Sequence, residues 1–509
     1  MSVERETKLD VGPGFRLPGF DDVRDGVLAV RAEPQRTRTT YWDTEDLRLA
    51  RWGLSLRHRD GQGWTLKLPA DEQEGALNRE EIEAEGPPTH PPASLADLVV
   101  AYARAEPLRR AVTLHTVRTR VAFTGADRAE LGEVVDDEVS VLTGRRIAAR
   151  FREVEVETHD EVLAGAAIAR LRAAGAGETV LTPKYLRALG PRASAPPELV
   201  ARSTLPRDAT VRDLVSTAVT SSTIRLIRAD AGVRVGEDPE AVHSARVAVR
   251  RLRSDLRTFR SVLDPAWSGP LRDELGWLGS SLGEVRDLDV LGDRLAGRLE
   301  DLGLTERPRD GGEVRPADRP EDRVAGTRLI GGVQAARSAA RERLLAELRS
   351  DRYIALLEGL VAASAEPQVL AEAADRRAAS ALVPLMAGPW KHLERACRAI
   401  ADDSPDEVLH AARIRAKRAR YAAEALAPLV GAPARRFGRA AARLQDVLGE
   451  HQDAVVAEAW LRDAARSSPS TAFVAGLLAA RERQARADAR ASWRSAWKAL
   501  RRKKLRFWT

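Results

Sequence analysis

Apolar and polar positions alternate with a period of two over several short stretches of the first 190 residues, the pattern of strands buried on one face. Val3–Leu9, Thr37–Trp42, Leu54–Arg59, Trp64–Leu68, Arg79–Glu85, Leu114–Phe123, Glu130–Val135 and Phe151–Thr158 are predicted as strands, separated in places by turn signals such as Asp60-Gly61 and Thr124-Gly125. Helical spacing interrupts them at Leu95–Ala105 and Glu161–Ala174. Eight strands with few helices predict a barrel or a strongly curved antiparallel sheet.

Pro191 to Thr210 contains four prolines and is predicted as a linker. Beyond it the period becomes 3.6 to the end, broken at Arg307 to Gly326 by Pro, Gly and charge. The helical part repeats itself. His243-Ser-Ala-Arg246-Val-Ala-Val-Arg250-Arg251-Leu-Arg253 matches His410-Ala-Ala-Arg413-Ile-Arg-Ala-Lys417-Arg418-Ala-Arg420 at an offset of 167 residues, and Leu282-Gly-Glu-Val-Arg-Asp287 matches Leu448-Gly-Glu-His-Gln-Asp453 at 166. Two matches in the same order at nearly one offset indicate an internal duplication. The expected fold is therefore an α+β multidomain protein: an N-terminal eight-stranded antiparallel tunnel or barrel at 1–195, a linker at 196–210, and an all-α pair of duplicated bundles at 211–505. The halves are placed at about 211–305 and 327–505, with a loop at 307–326.

Composition refines this picture. The chain of 509 residues is 44% hydrophobic, enough for real cores, and its net charge of +7 is unevenly spread. Residues 1–200 hold 28 Lys and Arg against 33 Asp and Glu, whereas the remainder hold 54 against 42. A basic second part predicts a polyanionic partner. Met1 to Asp10 lacks the basic and apolar blocks of a secretory signal, and no apolar run reaches membrane-spanning length. The single Cys397 excludes an internal disulfide and a cysteine-clustered zinc site. A cytoplasmic protein without membrane contact is expected.

The strand period puts Glu4, Glu6 and Lys8 on one face, and likewise groups Arg57 with Arg59, Thr65 with Lys67, Arg118 with Arg120, and Glu153 with Glu155 and Glu157. Like charges beside one another repel unless something of opposite sign lies between them. A phosphate chain among the cations and a hard divalent ion such as Mg2+ or Mn2+ among the carboxylates would meet that need. Only three of the eight lysines fall in the first 200 residues, Lys8, Lys67 and Lys184, and two of them sit within these faces. Lys acts on phosphate as a compact point charge.

These motifs, together with Tyr41-Trp-Asp43-Thr44, Leu56-Arg57-x-Arg59, Thr65-Leu66-Lys67, Arg152-Glu-Val-Glu-Val-Glu157 and Lys184-Tyr185, resemble a CYTH domain, the family that includes the triphosphate tunnel metalloenzymes. The resemblance covers about residues 1–195. It implies a tunnel with charged inward side chains, in which Lys8, Arg57, Arg59, Lys67, Arg118, Arg120 and Lys184 grip a triphosphate. Glu4, Glu6, Glu153 and Glu155 would hold metal, Glu4, Glu6 and Lys8 forming the catalytic group. The family's further acidic ligand falls on Asp136 or Asp137, and Glu157 could replace Glu153 or Glu155; alternation leaves these choices open without the register. Asp136 is taken as the candidate.

In the helical part, His243, Arg246, Arg250 and Arg253 fall within an arc about 80° wide that borders the apolar face, and His410, Arg413, Lys417 and Arg420 repeat it. Two such stripes facing one another would form a cleft for a long polyanion. The repeated motifs resemble a CHAD domain over about residues 205–505, which implies binding of inorganic polyphosphate and suggests association with polyphosphate granules. The combined expectation is a metal-dependent inorganic triphosphatase joined to a polyphosphate-binding domain. Thiamine triphosphatase or adenylate cyclase-like activity, or a non-enzymatic polyphosphate scaffold, are the alternatives. Nucleic acid is disfavoured, because aromatic residues are only 5% of the chain and no base-stacking platform is evident.

Overall fold

The computed structural model describes residues 5–69, 81–125, 127–144, 146–180, 182–304 and 319–509. Glu4 lies outside them, and Glu6 is described by its backbone alone. The chain divides into two units, Met1–Pro197 and Glu198–Thr509.

The first unit is built on nine strands: β1 (Arg5–Val11), β2 (Leu28–Arg31), β3 (Gln35–Asp43), β4 (Ser55–Arg59), β5 (Gly63–Lys67), β6 (Glu81–Ala84), β7 (Arg109–Thr124), β8 (Glu130–Thr143) and β9 (Arg146–Thr158). Eight form one antiparallel path, β1-β9-β8-β7-β3-β4-β5-β6, and β2 pairs with β7 off that path. Among the described residues the two ends, β1 and β6, do not pair. The alternation does not predict β2, because its four residues are largely exposed and show no buried face. The predicted helix over Leu95–Ala105 divides into Ala93–Leu98 (α2) and Val100–Ala103 (α3), following Arg48–Arg51 (α1).

One sheet face is apolar. Leu9, Val154 and Val156 pack there with Leu163 and Leu171 of α4 (Glu161–Ala173), all at most 1% exposed. Each such burial contributes about 1.5–3 kcal/mol. Asp160 starts α4 by accepting from the backbone N–H groups of Val162 and Leu163, both at 3.0 Å. The opposite face carries charged residues and, farther along the strands, an apolar cluster of Tyr41, Val112, Leu114, Val139 and Val141; the short helix α5 (Lys184–Leu189) packs on that cluster, where Tyr185 stacks on Tyr41 with ring centroids 5.4 Å apart.

The second unit is all helical: α6 (Val211–Val235), α7 (Pro239–Thr258), α8 (Pro265–Asp301), α9 (Pro320–Leu348), α10 (Asp351–Ala365), α11 (Ala371–Ala374), α12 (Leu382–Arg398), α13 (Asp406–Val430), α14 (Ala432–Ser467) and α15 (Ala472–Leu500). α9 begins at Pro320, so residues 320–326, expected in the loop, are helical; proline suits a helix's first turn, whose N–H groups lack intrahelical partners. Most of the expected loop, 305–318, lies outside the described residues. Leu329 and Val333 of α9 share one buried cluster with Leu291, Leu295 and Leu299 of α8 and with Leu461 of α14 and Leu478 of α15. No described helix is long and apolar enough to cross a membrane.

Candidate functional site

The strand register sorts the charged residues of the first unit. Asp10, Glu153, Asp137 and Arg118 are successive cross-strand neighbours on β1, β9, β8 and β7, and so are Lys8, Glu155, Val135 and Arg120 one step along. Glu6 and Glu157 form the next rung. Across β3, the same face continues through Tyr41, Arg57, Thr65 and Glu83, with Arg59 and Lys67 one step to either side. Residues directly opposite in a ladder share a face. Those expected phosphate and carboxylate residues whose strands are described therefore occupy one continuous surface, Asp136 excepted.

Asp136 does not belong to that surface. It lies opposite Val154, on the apolar side, and accepts two hydrogen bonds from Arg152 at 2.8 and 2.7 Å. Asp137 takes the place expected of it, for the reason that one residue of register reverses every side chain. Lys184, expected on phosphate, stands among the carboxylates. Its Nζ lies 3.0 Å from Glu155 Oε2 and 3.5 Å from Glu153 Oε1, and it also pairs with Asp137.

Asp137, Glu153 and Glu155 are at most 3% exposed. Lys8 Nζ lies 2.6 Å from Glu155 Oε1, and Arg118 forms a bidentate pair with Asp137 at 2.9 and 2.7 Å. Arg187, one turn from Lys184, bridges Glu153 at 3.0 Å and Asp10 at 2.9 Å. Burial opposes ionisation of Glu155, but Lys184 and Lys8 outweigh it and hold the carboxyl down to about 2. Burial dominates at Glu153, whose pKa is raised despite Lys184 and Arg187.

The cationic side is less neutralised. Arg57 and Arg59 form no ion pair with a described carboxylate, and Arg57 Nε is buried without a hydrogen bond. Burial and then Arg57 lower the pKa of Arg59. Lys67 pairs with Glu81, and Arg120 donates to Glu133 at 2.6 Å. Two adjacent guanidiniums without counter-ions form a place for an anion.

Among the described residues, no group of three His, Cys, Asp or Glu side chains is arranged to hold a metal. Lys8, Lys184 and Arg118 stand among the carboxylates instead. Glu153 Oε1 accepts no hydrogen bond, so one buried carboxylate oxygen could serve an ion such as Mg2+ or Mn2+ whose remaining ligands substrate oxygens and water would supply.

In the second unit the two repeated motifs are physical partners. A Cβ on Gly283 would lie 3.9 Å from the Arg246 guanidinium, and one on Gly449 would lie 3.5 Å from that of Arg413. Arg246 also pairs with Asp287 at 2.8 Å, and Asp453 opposes the depression of the Arg413 pKa. The glycine of each Leu-Gly-Glu thus seats an arginine, and the aspartate of the same motif supplies opposite charge.

The stripes converge at Arg246, Arg250, Arg413 and Lys417. Burial, then Arg413, Arg250 and Arg246, push the Lys417 ammonium down to about 7. Arg250 Nε donates to Tyr421 Oη at 2.6 Å, a partner the charge pattern does not reveal. Arg420 is instead tied to Glu424 at 2.7 Å, and Arg253 is exposed beside Gly276. His243 and His410 are half-buried; burial lowers the pKa of His243, and His410 Nδ1 has no hydrogen bond.

The CYTH domain family matches residues 4–179, and the CHAD domain family matches residues 217–462. Over 507 residues the chain is 31% identical to uncharacterized proteins of Mycobacterium tuberculosis from strains CDC 1551 / Oshkosh and ATCC 25618 / H37Rv, covering 94% of this chain and 92% of each relative. Among solved structures, a CHAD domain from the plant Ricinus communis is 29% identical, with a TM-score of 0.48, covering 58% of this chain and 93% of its own. PptA from Streptomyces chartreusis is 26% identical, with a TM-score of 0.45, covering 56% and 98%. The chain belongs to the CYTH–CHAD proteins, a triphosphate tunnel metalloenzyme-like domain followed by a helical CHAD domain.

Proposed function

We propose that the first unit hydrolyses inorganic triphosphate to pyrophosphate and phosphate, and that the second binds inorganic polyphosphate. The observation that supports the first assignment is the continuous face graded from Arg57 and Arg59, which form no ion pair with a described carboxylate, to the carboxylates of Asp137, Glu153 and Glu155. CYTH proteins are metal-dependent, typically with Mg2+ or Mn2+. Bound through Glu153 and Glu155, with Glu4 and Glu6 as the further expected ligands, such an ion would neutralise phosphate oxygens and favour water as nucleophile.

The chain's own residues position the substrate. Arg57, Arg59, Lys67, Arg118 and Arg120 hold successive phosphates and absorb charge that develops on the leaving pyrophosphate. Lys8 and Lys184 stand on the boundary between cations and carboxylates, within reach of either. A triphosphate entering beside them would draw both ammoniums toward its oxygens and release carboxylate oxygens.

In the helical unit, four cations gathered with few carboxylates support a polyanion site. A phosphate-release panel with inorganic triphosphate, pyrophosphate, ATP and thiamine triphosphate, each with Mg2+, Mn2+ or chelator, tests the catalytic assignment. Release from triphosphate alone, abolished by chelator, is the expected outcome; preference for thiamine triphosphate or absence of release would overturn it.

A further inference from the structure

The chain has 8 lysines against 74 arginines. Lys8, Lys67 and Lys184 are paired with carboxylates, and Lys391, Lys498, Lys503 and Lys504 are exposed. Lys417 belongs to neither group. It is half-buried, and among the described residues it forms no hydrogen bond or ion pair. The internal duplication, at its offset of 167, puts Lys417 where the first copy has Arg250. One repeat thus carries a group that always stays charged, and the other a group that can lose its proton.

The surroundings of Lys417 are cationic on both sides. It lies one turn beyond Arg413 and one turn before Tyr421 on α13, so the three share a face. Arg250 of α7 reaches that face, its Nε donating to Tyr421 Oη at 2.6 Å and its guanidinium standing 5.6 Å from the ring centroid. Arg246 is one turn away from Arg250 on α7, and His243 lies beside both. Two carboxylates face the group from other helices: Asp287 of α8, already paired with Arg246, and Asp453 of α14, whose own ionisation burial opposes. Arg413 Nε is buried and donates to nothing among the described residues.

An ammonium in such company is relieved by giving up its proton. Burial and then Arg413, Arg250 and Arg246 push Lys417 down to about 7. At pH 7.5 about three quarters of such a group is uncharged, against about one in a thousand for an ordinary lysine. A lysine amine desolvated beside other cations is a nucleophile at neutral pH.

We propose that Lys417 is a carbamylation site, at which the amine takes up carbon dioxide and the surrounding arginines hold the product. The Nζ lone pair forms a bond to the carbon of CO2, one C–O π pair moves onto oxygen, and the nitrogen releases a proton to water. No oxidant, reductant or second substrate is consumed. A cation among cations becomes an anion among cations, and its two oxygens accept hydrogen bonds from Arg413 Nε and from the remaining N–H groups of Arg250. The adduct rests on the cation cluster and does not depend on the polyphosphate reading. Where that reading holds, the carbamate replaces an attractive contact by a repulsive one, so CO2 and the polymer exclude each other.

Equilibrating the full chain with isotopically labelled bicarbonate and CO2 at pH 7.5, trapping carbamates as esters with a trialkyloxonium salt, and mapping peptides by mass spectrometry tests the proposal. Label on Lys417 should exceed that on Lys391 and Lys498 at least tenfold, disappear in K417R, and fall tenfold or more in R246Q/R413Q. Arg250 occupies the equivalent position of the first repeat, so K417R keeps a side chain the motif accommodates. Carbon NMR of the untrapped wild-type chain reads the adduct without any substitution. Absence of label on Lys417, label no higher than on the exposed lysines, or undiminished label in R246Q/R413Q would overturn the site. Labelled polyphosphate should bind more weakly with CO2 than without it at equal pH and ionic strength, a difference that K417R removes. Equal polymer binding by a chain labelled on Lys417 would overturn the exclusion and leave the adduct standing.

Discussion

Lys184 Nζ stands 3.0 Å from Glu155 Oε2, joining a helix late in the first unit to the carboxylate row of β9. Together with Lys8 it keeps Glu155 ionised despite near-complete burial. The arrangement ties the unit's acid stability to the same residues that are proposed to work on substrate.

Glu155 has a folded-state pKa of about 2 against an ordinary 4.5. A depressed carboxyl pKa stabilises the fold above the unfolded value and loses that contribution as pH falls from about 4.5 through about 2; the amount is of order 3 kcal/mol. Urea midpoints of wild type and E155Q at pH 7, 4 and 3 check this. The wild type should lose stability steeply over that window, and E155Q should show a flatter dependence. Parallel curves would contradict the assignment.

Register separates Asp137 from Asp136. D137N should lower triphosphate kcat/KM by tenfold or more, because Asp137 orders Arg118 and Lys184 on the charged face. D136N should leave KM nearly unchanged and destabilise the fold by about 1–3 kcal/mol, since Arg152 loses a buried charged partner and keeps only Glu138 and the Phe15 carbonyl. Steady-state kinetics paired with urea denaturation distinguishes these outcomes. The reverse pattern would place the wrong aspartate on the working face.

Lys417 should make polyphosphate binding depend on pH. Its ammonium titrates at about 7 beside Arg413, Arg250 and Arg246, with Asp453 the opposing carboxylate. Bound phosphate favours the protonated form, so affinity should fall as pH rises through 7, by up to about tenfold per unit where proton uptake is complete. K417R should flatten the profile while keeping affinity. The free unit has the opposite trend: its unfolded state binds the Lys417 proton more tightly, so its stability should rise with pH from about 7 toward 10.

Neutralising Arg246, Arg250, Arg413 and Lys417 together should abolish retention of labelled polyphosphate and its salt dependence. Phosphate release from triphosphate by the same chain should persist. Fluorescence polarisation at two salt concentrations, run beside a phosphate-release assay, reads both. Undiminished polymer retention would remove the cleft from consideration.

Much of this organisation is legible in the chain. Alternation in Arg57-His58-Arg59 and Glu153-Val154-Glu155 announces a charged face backed by an apolar one, because successive strand residues point oppositely whatever the fold. Duplication of the His-x-x-Arg and Leu-Gly-Glu motifs likewise announces two related bundles. Each is local information, carried by spacing alone.

The remainder depends on contacts between distant segments. Alternation cannot choose Asp137 over Asp136, because only pairing with β7 and β9 sets the register. It cannot show that Arg187 reaches Asp10 across 177 positions, that Tyr421 receives Arg250, or that Arg420 is held by Glu424. Periodicity dictates which side of its own element a residue occupies. The partner it meets there, and hence its charge state, follows from how the elements are packed.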